Sequence, residues 1–425
     1  MNGLIKKVNS FYYLSFLLVI NGGLITFLTK GTPFTIWRQL ITIIGVFILF
    51  WTLKNVKEKS LRFVLKSYLV IISLLFICCI IGYFFQGYSI LRIVYSLWGY
   101  VVGFPIIIFP ILLTKEKNFN PRRFFAFFSH LGVFLSLGLF IDSQTSIFKF
   151  INLSINGLEN SSEQYIDIYT SRCSFLAETV TTFGVFLSFT ILSSLYLLSV
   201  TNNIKKKLYL YFASFIPLVG SWFTGSRQIF IVVFITLFFG LLAYLKQQKK
   251  ELKYFMMSLC IIVPLILSYV IPLMVENKEL LSRYVGDNEG VVSGDEERVA
   301  QWIRGSEYII DNGYVVLFGN GMGSFAVKGV NRGELKTEHY ENTYLMRIID
   351  TGFIGLWTIL FPVYVILRNI YVMRRKNILD KLSLCIIFCY LFTSFISPNG
   401  ASPSTQYIMF VLAGIYLVRN KFELK

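Results

Sequence analysis

The feature that most constrains this chain is recurrence. Apolar runs of about twenty residues return along its whole length, separated by short charged connections. An α-helix needs about twenty apolar residues to cross the hydrocarbon core of a bilayer, so each run is a span on that template. Twelve spans result, at residues 11–29, 34–53, 63–85, 90–113, 124–141, 174–200, 208–224, 229–246, 254–275, 343–368, 382–397 and 404–419. Composition agrees: 55% of residues are hydrophobic and the mean hydropathy is +0.64. A soluble fold of 425 residues has nowhere to bury that much apolar surface, whereas lipid solvates it. The expected fold is an all-α integral membrane protein, one polytopic bundle over residues 1–425.

Charge then orients the bundle. The connections at one end hold 26 of the 40 basic residues and only five acids; the opposite end holds the other 14 bases and 18 acids. By the positive-inside rule the basic end is cytoplasmic, the protein sits in the cytoplasmic (inner) membrane, and both termini are cytoplasmic. The net charge of +17 therefore reports topology and implies no nucleic-acid partner. No cleavable signal peptide is evident ahead of the first run, which Lys6 and Lys7 flank. Of the six cysteines, five lie inside apolar runs and read as small hydrophobes; with only Cys173 near a polar boundary, no disulfide framework is expected.

Two connections on the outer side are long: 142–171, and 276–341 between spans nine and ten. Within the second, Ser293-Gly294-Asp295-Glu296 has the form of a capping box. Val299, Trp302, Ile303, Ile309 and Ile310 follow at helical spacing, and Asp311-Asn312-Gly313 is a stop. The pattern predicts an amphipathic helix over about 295–311, its apolar face on the bundle or at the lipid surface. Gly319-Asn320-Gly321-Met322-Gly323 reads as a tight turn with glycines at positive φ; as a phosphate cradle it lacks the preceding strand.

Catalogue motifs are otherwise absent. With histidine only at 130 and 339, a zinc site is not expected, and no metal or cofactor is called for. His130, near the inner end of span five, reads as a packing residue. The more telling pattern is arginine at the outer ends of spans: Arg172 before span six, Arg227 in Thr224-Gly225-Ser226-Arg227, and Arg298 on the loop helix. An unpaired charge at the depth of Arg227 costs on the order of 3 kcal/mol, which calls for a carboxylate or phosphate partner. Snorkelling to lipid head groups is the plainer alternative. Three guanidinium forks on one leaflet suit bidentate contacts to a phosphate-bearing, lipid-linked substrate. Candidate acids and bases on the same side are Glu178, Glu338, His339, Glu341 and Asp350. Glu178 falls about one and a half turns into span six, with Arg172 as its expected partner; a structural ion pair is the rival reading. Glu341, at the lip of span ten, is better placed than His339, which also reads as a solvated loop residue.

Several of these residues occur in a familiar order. The Gly225-Ser226-Arg227 turn lies between two apolar runs, and a large late outer loop carries Arg298 and Trp302. Glu341-Asn342-Thr343-Tyr344-Leu345 then precedes Thr351-Gly352-Phe353-Ile354-Gly355. Together they resemble the O-antigen polymerase (Wzy) and O-antigen ligase (WaaL) family of bacterial surface-polysaccharide assembly, over about 170 to 360. The resemblance implies transfer of glycans from undecaprenyl pyrophosphate at the outer leaflet, without nucleotide or metal, toward lipopolysaccharide O-antigen or capsule. It implies a flippase and a chain-length regulator as partner proteins. Carried over, Arg172, Arg227 and Arg298 hold the pyrophosphate, and Glu341 or His339 takes the acceptor proton. Asn342, Trp302, Glu338 and Tyr344 support them. Ligases of the family usually carry His-Asn where this chain has Glu341-Asn342, which favours a polymerase. The alternatives are a ligase or a lipid-linked oligosaccharide flippase. A transporter would need broken helices or ionisable sites near the midplane, whereas most spans here read as clean.

Overall fold

In a computed structural model, residues 2–55, 59–117, 119–145, 148, 173–177, 183–247, 289–324, 342–372, 377–396 and 402–422 are described. Among them every regular element is helical. The order is α1 (Asn2–Ile20), α2 (Gly22–Thr29), α3 (Trp37–Asn55), α4 (Lys59–Ile80), α5 (Ile90–Val101), α6 (Ile108–Leu113) and α7 (Pro121–Thr145). There follow α8 (Phe183–Val200), α9 (Ile204–Phe223), α10 (Arg227–Gln247), α11 (Glu289–Asp311), α12 (Val315–Phe318), α13 (Thr343–Val372), α14 (Ile378–Ile396), α15 (Pro403–Leu417) and α16 (Arg419–Phe422). Seven helices are long and apolar enough to cross a bilayer, eight if the bent pair α1–α2 is one span; Trp37–Thr52 and Ser404–Leu417 are shorter apolar helices. The protein is thus a multi-pass helical membrane protein. The predicted ninth span, 254–275, lies outside the described residues. Below, the end carrying α11 is the loop end and the opposite one the basic end.

α8 is the axis of the bundle. It is apolar on all sides and almost wholly buried, as expected of a helix enclosed by others, here α7, α9, α10 and α14. Small residues let backbones approach, the usual device where lipid removes the hydrophobic drive between helices. A Cβ at Gly132 would meet Thr190 at 2.5 Å, and one at Gly220 would meet the Ser136 Cα at 2.8 Å. Hydroxyls cross the same seams: Ser129 Oγ to Ser194 Oγ at 2.8 Å, Thr236 Oγ1 to Ser188 Oγ at 3.0 Å. The outward faces are apolar as well, with Phe47, Phe76, Phe84 and Ile204 exposed, a surface that only lipid tails cover without cost.

Several spans are less regular than the apolar pattern predicts. The first bends by 81° between α1 and α2. Gly22 and Gly23 permit it, because side chains there would strike Arg38 and the Ala177 carbonyl. The fourth breaks after α5, where Gly103 packs on Phe410. The tenth kinks inside α13 at Gly352, whose φ of 66° brings it onto the Leu317 carbonyl. These breaks are filled by protein, so backbone polarity stays out of lipid.

The entry to the sixth span is irregular too. Residues 173–177 form a largely buried turn, with Ala177 N donating to Ser174 O at 2.8 Å and Phe175 N to Asp142 Oδ2 at 3.0 Å; the next described helix is α8, from Phe183. Residues 174–177, expected inside the sixth span, are thus a turn and not helix, while Arg172 and Glu178 lie outside the described residues. Asp142, not a helical hydrogen-bond ladder, satisfies this backbone.

Candidate functional site

Three predicted elements meet at the loop end of α14. The last four carbonyls of a helix have no partner within it, and Thr393 O is one of these in α14. Gln228 Nε2, one residue beyond Arg227, donates to it at 3.3 Å. Two residues further, Phe395 packs on Trp302 of α11, ring centroids 5.1 Å apart. On the neighbouring turn, Leu391 O accepts from the Tyr344 hydroxyl at 2.9 Å. The Arg227 turn, the loop helix and the start of α13 are thus fastened to residues 391–395. That hub is not visible in the sequence, where 382–397 reads as a plain span, because two of its contacts are made by backbone carbonyls.

Arg227 is the first residue of α10 and is half-buried, after a turn in which Gly225 has φ of 64°. Its backbone lies at the positive end of a 21-residue helix, where an anion is favoured. Arg298 is half-buried on α11, four residues before Trp302 and so on the face that meets α14. α11 ends at Asp311 as predicted but begins at Glu289, not near 295. The helix continues through Ser293, which therefore does not cap it; a cap is worth only about 1 kcal/mol and is readily overridden. Its apolar face divides. Trp302 and Ile309 turn toward the bundle, while Val299, Ile303 and Ile310 are 50%, 54% and 77% exposed, a stripe suited to the lipid interface.

Asn342 is buried and caps α13: its Oδ1 accepts from the N–H groups of Tyr344 at 2.9 Å and Leu345 at 3.1 Å. The cap fixes the chain immediately after Glu341. Arg172, Glu178, Glu338, His339 and Glu341 all lie outside the described residues, as do most of 142–171 and residues 325–341 of the large loop.

Asp350 is placed differently from its reading as an acid–base candidate. It is buried, and its two oxygens accept five hydrogen bonds. Oδ1 takes Gly323 N at 3.0 Å, Ser324 N at 2.9 Å and Ser324 Oγ at 2.8 Å; Oδ2 takes Tyr100 OH at 2.6 Å and Ser96 Oγ at 3.1 Å. With its acceptor capacity used, it ties the glycine turn to α5 and α13 instead of serving as a base. The turn is as the sequence predicts, with φ of 67°, 91° and 102° at Gly319, Gly321 and Gly323. A Cβ at Gly321 would collide with Gly82 N in the π-helical turn Ile81–Phe85 that follows α4, so glycine is needed for approach as well as conformation. The Gly323 and Ser324 N–H groups are committed to Asp350, which leaves the turn no phosphate cradle.

Two buried arginines escaped the sequence reading. Arg347 Nη2 donates to Gly99 O at 3.0 Å, and its guanidinium lies 3.5 Å from the Tyr100 ring centroid. Arg92 Nη2 donates to Ser324 O at 2.9 Å, with the guanidinium 4.6 Å from the Tyr88 ring. Burial pushes the Tyr88 phenol above its ordinary value and the Arg92 charge opposes this, so Tyr88 stays neutral at physiological pH. The pair Arg347 and Asp350, three residues apart in an apolar run, is the pattern that would have pointed here.

Residues 212–360 match the family model Wzy_C, described as O-antigen ligase. Over this segment the chain is similar to the O-antigen ligase family. The Wzy_C segment runs from α9 into α13 and includes Arg227, Arg298, Trp302, Asn342 and Tyr344. Arg172, Glu178 and the α14 hub lie outside it. Members of the family, polymerases and ligases alike, are membrane glycosyltransferases of O-antigen assembly that act on lipid-linked glycans. Comparison of the whole chain with curated proteins gave no match.

Proposed function

We propose that this protein polymerises undecaprenyl-pyrophosphate-linked oligosaccharide repeat units, for O-antigen or capsule, on the outer face of the cytoplasmic membrane. The observation that carries the reading is the attachment of the Arg227 turn and the Arg298 helix face to one end of α14, within and beside a Wzy_C segment. In this proposal the two guanidinium groups, joined by the α10 N-terminus and by Arg172, hold the pyrophosphate and stabilise charge as it leaves. The acceptor sugar's hydroxyl oxygen bonds to the donor's anomeric carbon while the bond from that carbon to the pyrophosphate breaks. Glu341 or His339 takes the hydroxyl proton, and undecaprenyl pyrophosphate departs with the electron pair. Glu178 is retained as a further carboxylate near this site. Asn342 serves by fixing the backbone beside Glu341, not by touching substrate. Glutamate rather than histidine before Asn342 favours a polymerase over a ligase.

The test is the protein purified into liposomes with one lipid-pyrophosphate repeat unit and no added nucleotide. Longer lipid-linked chains are expected, and Arg227→Ala is expected to slow extension by about 100-fold. Extension by Arg227→Ala at the wild-type rate would remove the phosphate role. In a deletion strain, a single repeat unit on the normal acceptor identifies a polymerase; loss of all attached glycan identifies a ligase or, with substrate retained on the inner leaflet, a flippase.

A further inference from the structure

At the basic end, far in sequence from the Wzy_C loop residues, a cavity of about 510 Å³ opens between α7, α9 and the connection before α9. That is within the range of small-molecule sites, about 300–1,000 Å³. Its floor is apolar, with Ala126, Leu197 and Leu210. Its rim carries Arg122 and Lys206, and no acidic residue lines it. Both cations are exposed, and among the described residues neither side chain has a hydrogen-bond or ion-pair partner. His130, expected as a packing residue, is instead exposed at the cavity wall, its Nδ1 2.5 Å from the Tyr209 hydroxyl. From His130 an apolar stripe continues along α7 through Phe134, Leu137 and Ile141, which are 51%, 43% and 48% exposed.

We infer that this cavity binds the phosphate of an anionic phospholipid from the leaflet at the basic end. The two cations meet the phosphate, His130 and Tyr209 offer hydrogen bonds to the head group, and one acyl chain lies along the α7 stripe. A basic pocket between transmembrane helices, with an apolar floor and a lipid-facing exit, matches an amphiphile in both chemistry and position. Free phosphate would be attracted by the same cations but would leave the apolar floor and stripe uncovered. The site is distinct from the proposed donor site, which lies at the loop end, and does not depend on the polymerase reading.

The experiment is native mass spectrometry of the full chain released from detergent with phosphatidylglycerol or phosphatidylcholine of the same acyl chains. Wild type is expected to retain one phosphatidylglycerol in clear preference to phosphatidylcholine, and millimolar inorganic phosphate is not expected to displace it. Arg122→Gln with Lys206→Gln should lower that preference roughly tenfold. Val200→Trp, which fills the cavity but keeps the charges, should lower retention as well. Equal retention of the two lipids, full displacement by phosphate, or retention unchanged in both variants would each overturn the assignment. The altered side chains of the double variant are exposed, so an elution profile like wild type's confirms that any loss is not misfolding.

Discussion

Asp350 separates a structural role from a catalytic one. Replacing it by alanine removes the acceptor of five hydrogen bonds. The three hydroxyls can rotate toward other partners, but the N–H groups of Gly323 and Ser324 are buried and held by the turn. A buried donor left unpaired costs about 1–3 kcal/mol, so Asp350→Ala should cost about 2–6 kcal/mol from these two alone. Asp350→Asn is the informative partner. Its carbonyl oxygen can occupy the Oδ1 position and keep three bonds, while its amide donates to the Tyr100 and Ser96 oxygens, which accept as well as donate. The assay is the thermal unfolding midpoint in detergent beside the chain-extension rate in liposomes. Alanine should lower both; asparagine should keep most of both. A variant Asp350→Asn that unfolds with wild-type midpoint yet loses extension altogether would refute the reasoning and make Asp350 the base.

Other expected outcomes follow from the same geometry. Asp380 and Arg419 form a buried ion pair at 2.8 Å at the basic end, with Tyr416 OH donating to Asp380 at 3.0 Å. Asp380→Ala should destabilise by about 3–5 kcal/mol, and Asp380→Leu with Arg419→Met should recover much of it, both read by thermal unfolding. Trp302→Ala should cost about 1 kcal/mol of packing on Phe395 but slow extension roughly tenfold as α11 loosens from α14, whereas Trp302→Phe should preserve the rate. Asn342→Ala should cost about 0.5–2 kcal/mol through the lost α13 cap, and Asn342→Asp, which caps as well, should restore stability.

The apolar periodicity established the class of fold, because runs of that length have no stable place but a bilayer or an enclosed bundle. It also gave the helix termination at Asp311, the positive-φ turn at 319–323 and the arginines at the loop end, each a local property of a few residues. What it missed is cooperative across the chain. The bend at Asn21, the turn over 173–177 and the kink at Gly352 depend on a distant backbone arriving to take up or fill the break. Asp350 read as a possible base, since a lone carboxyl group in an apolar run looks reactive until its five donors, from two distant segments, are in view. Likewise the gathering of the Arg227, Trp302 and Tyr344 elements on α14 rests in two of its three contacts on main-chain carbonyls that every residue possesses. Sequence alone therefore determined that this is a membrane bundle with one basic end and a long, arginine-bearing loop at the other. Tertiary structure decided which polar groups are consumed in holding it together, because hydrogen-bond satisfaction in a buried interior is a property of neighbours and not of residue type.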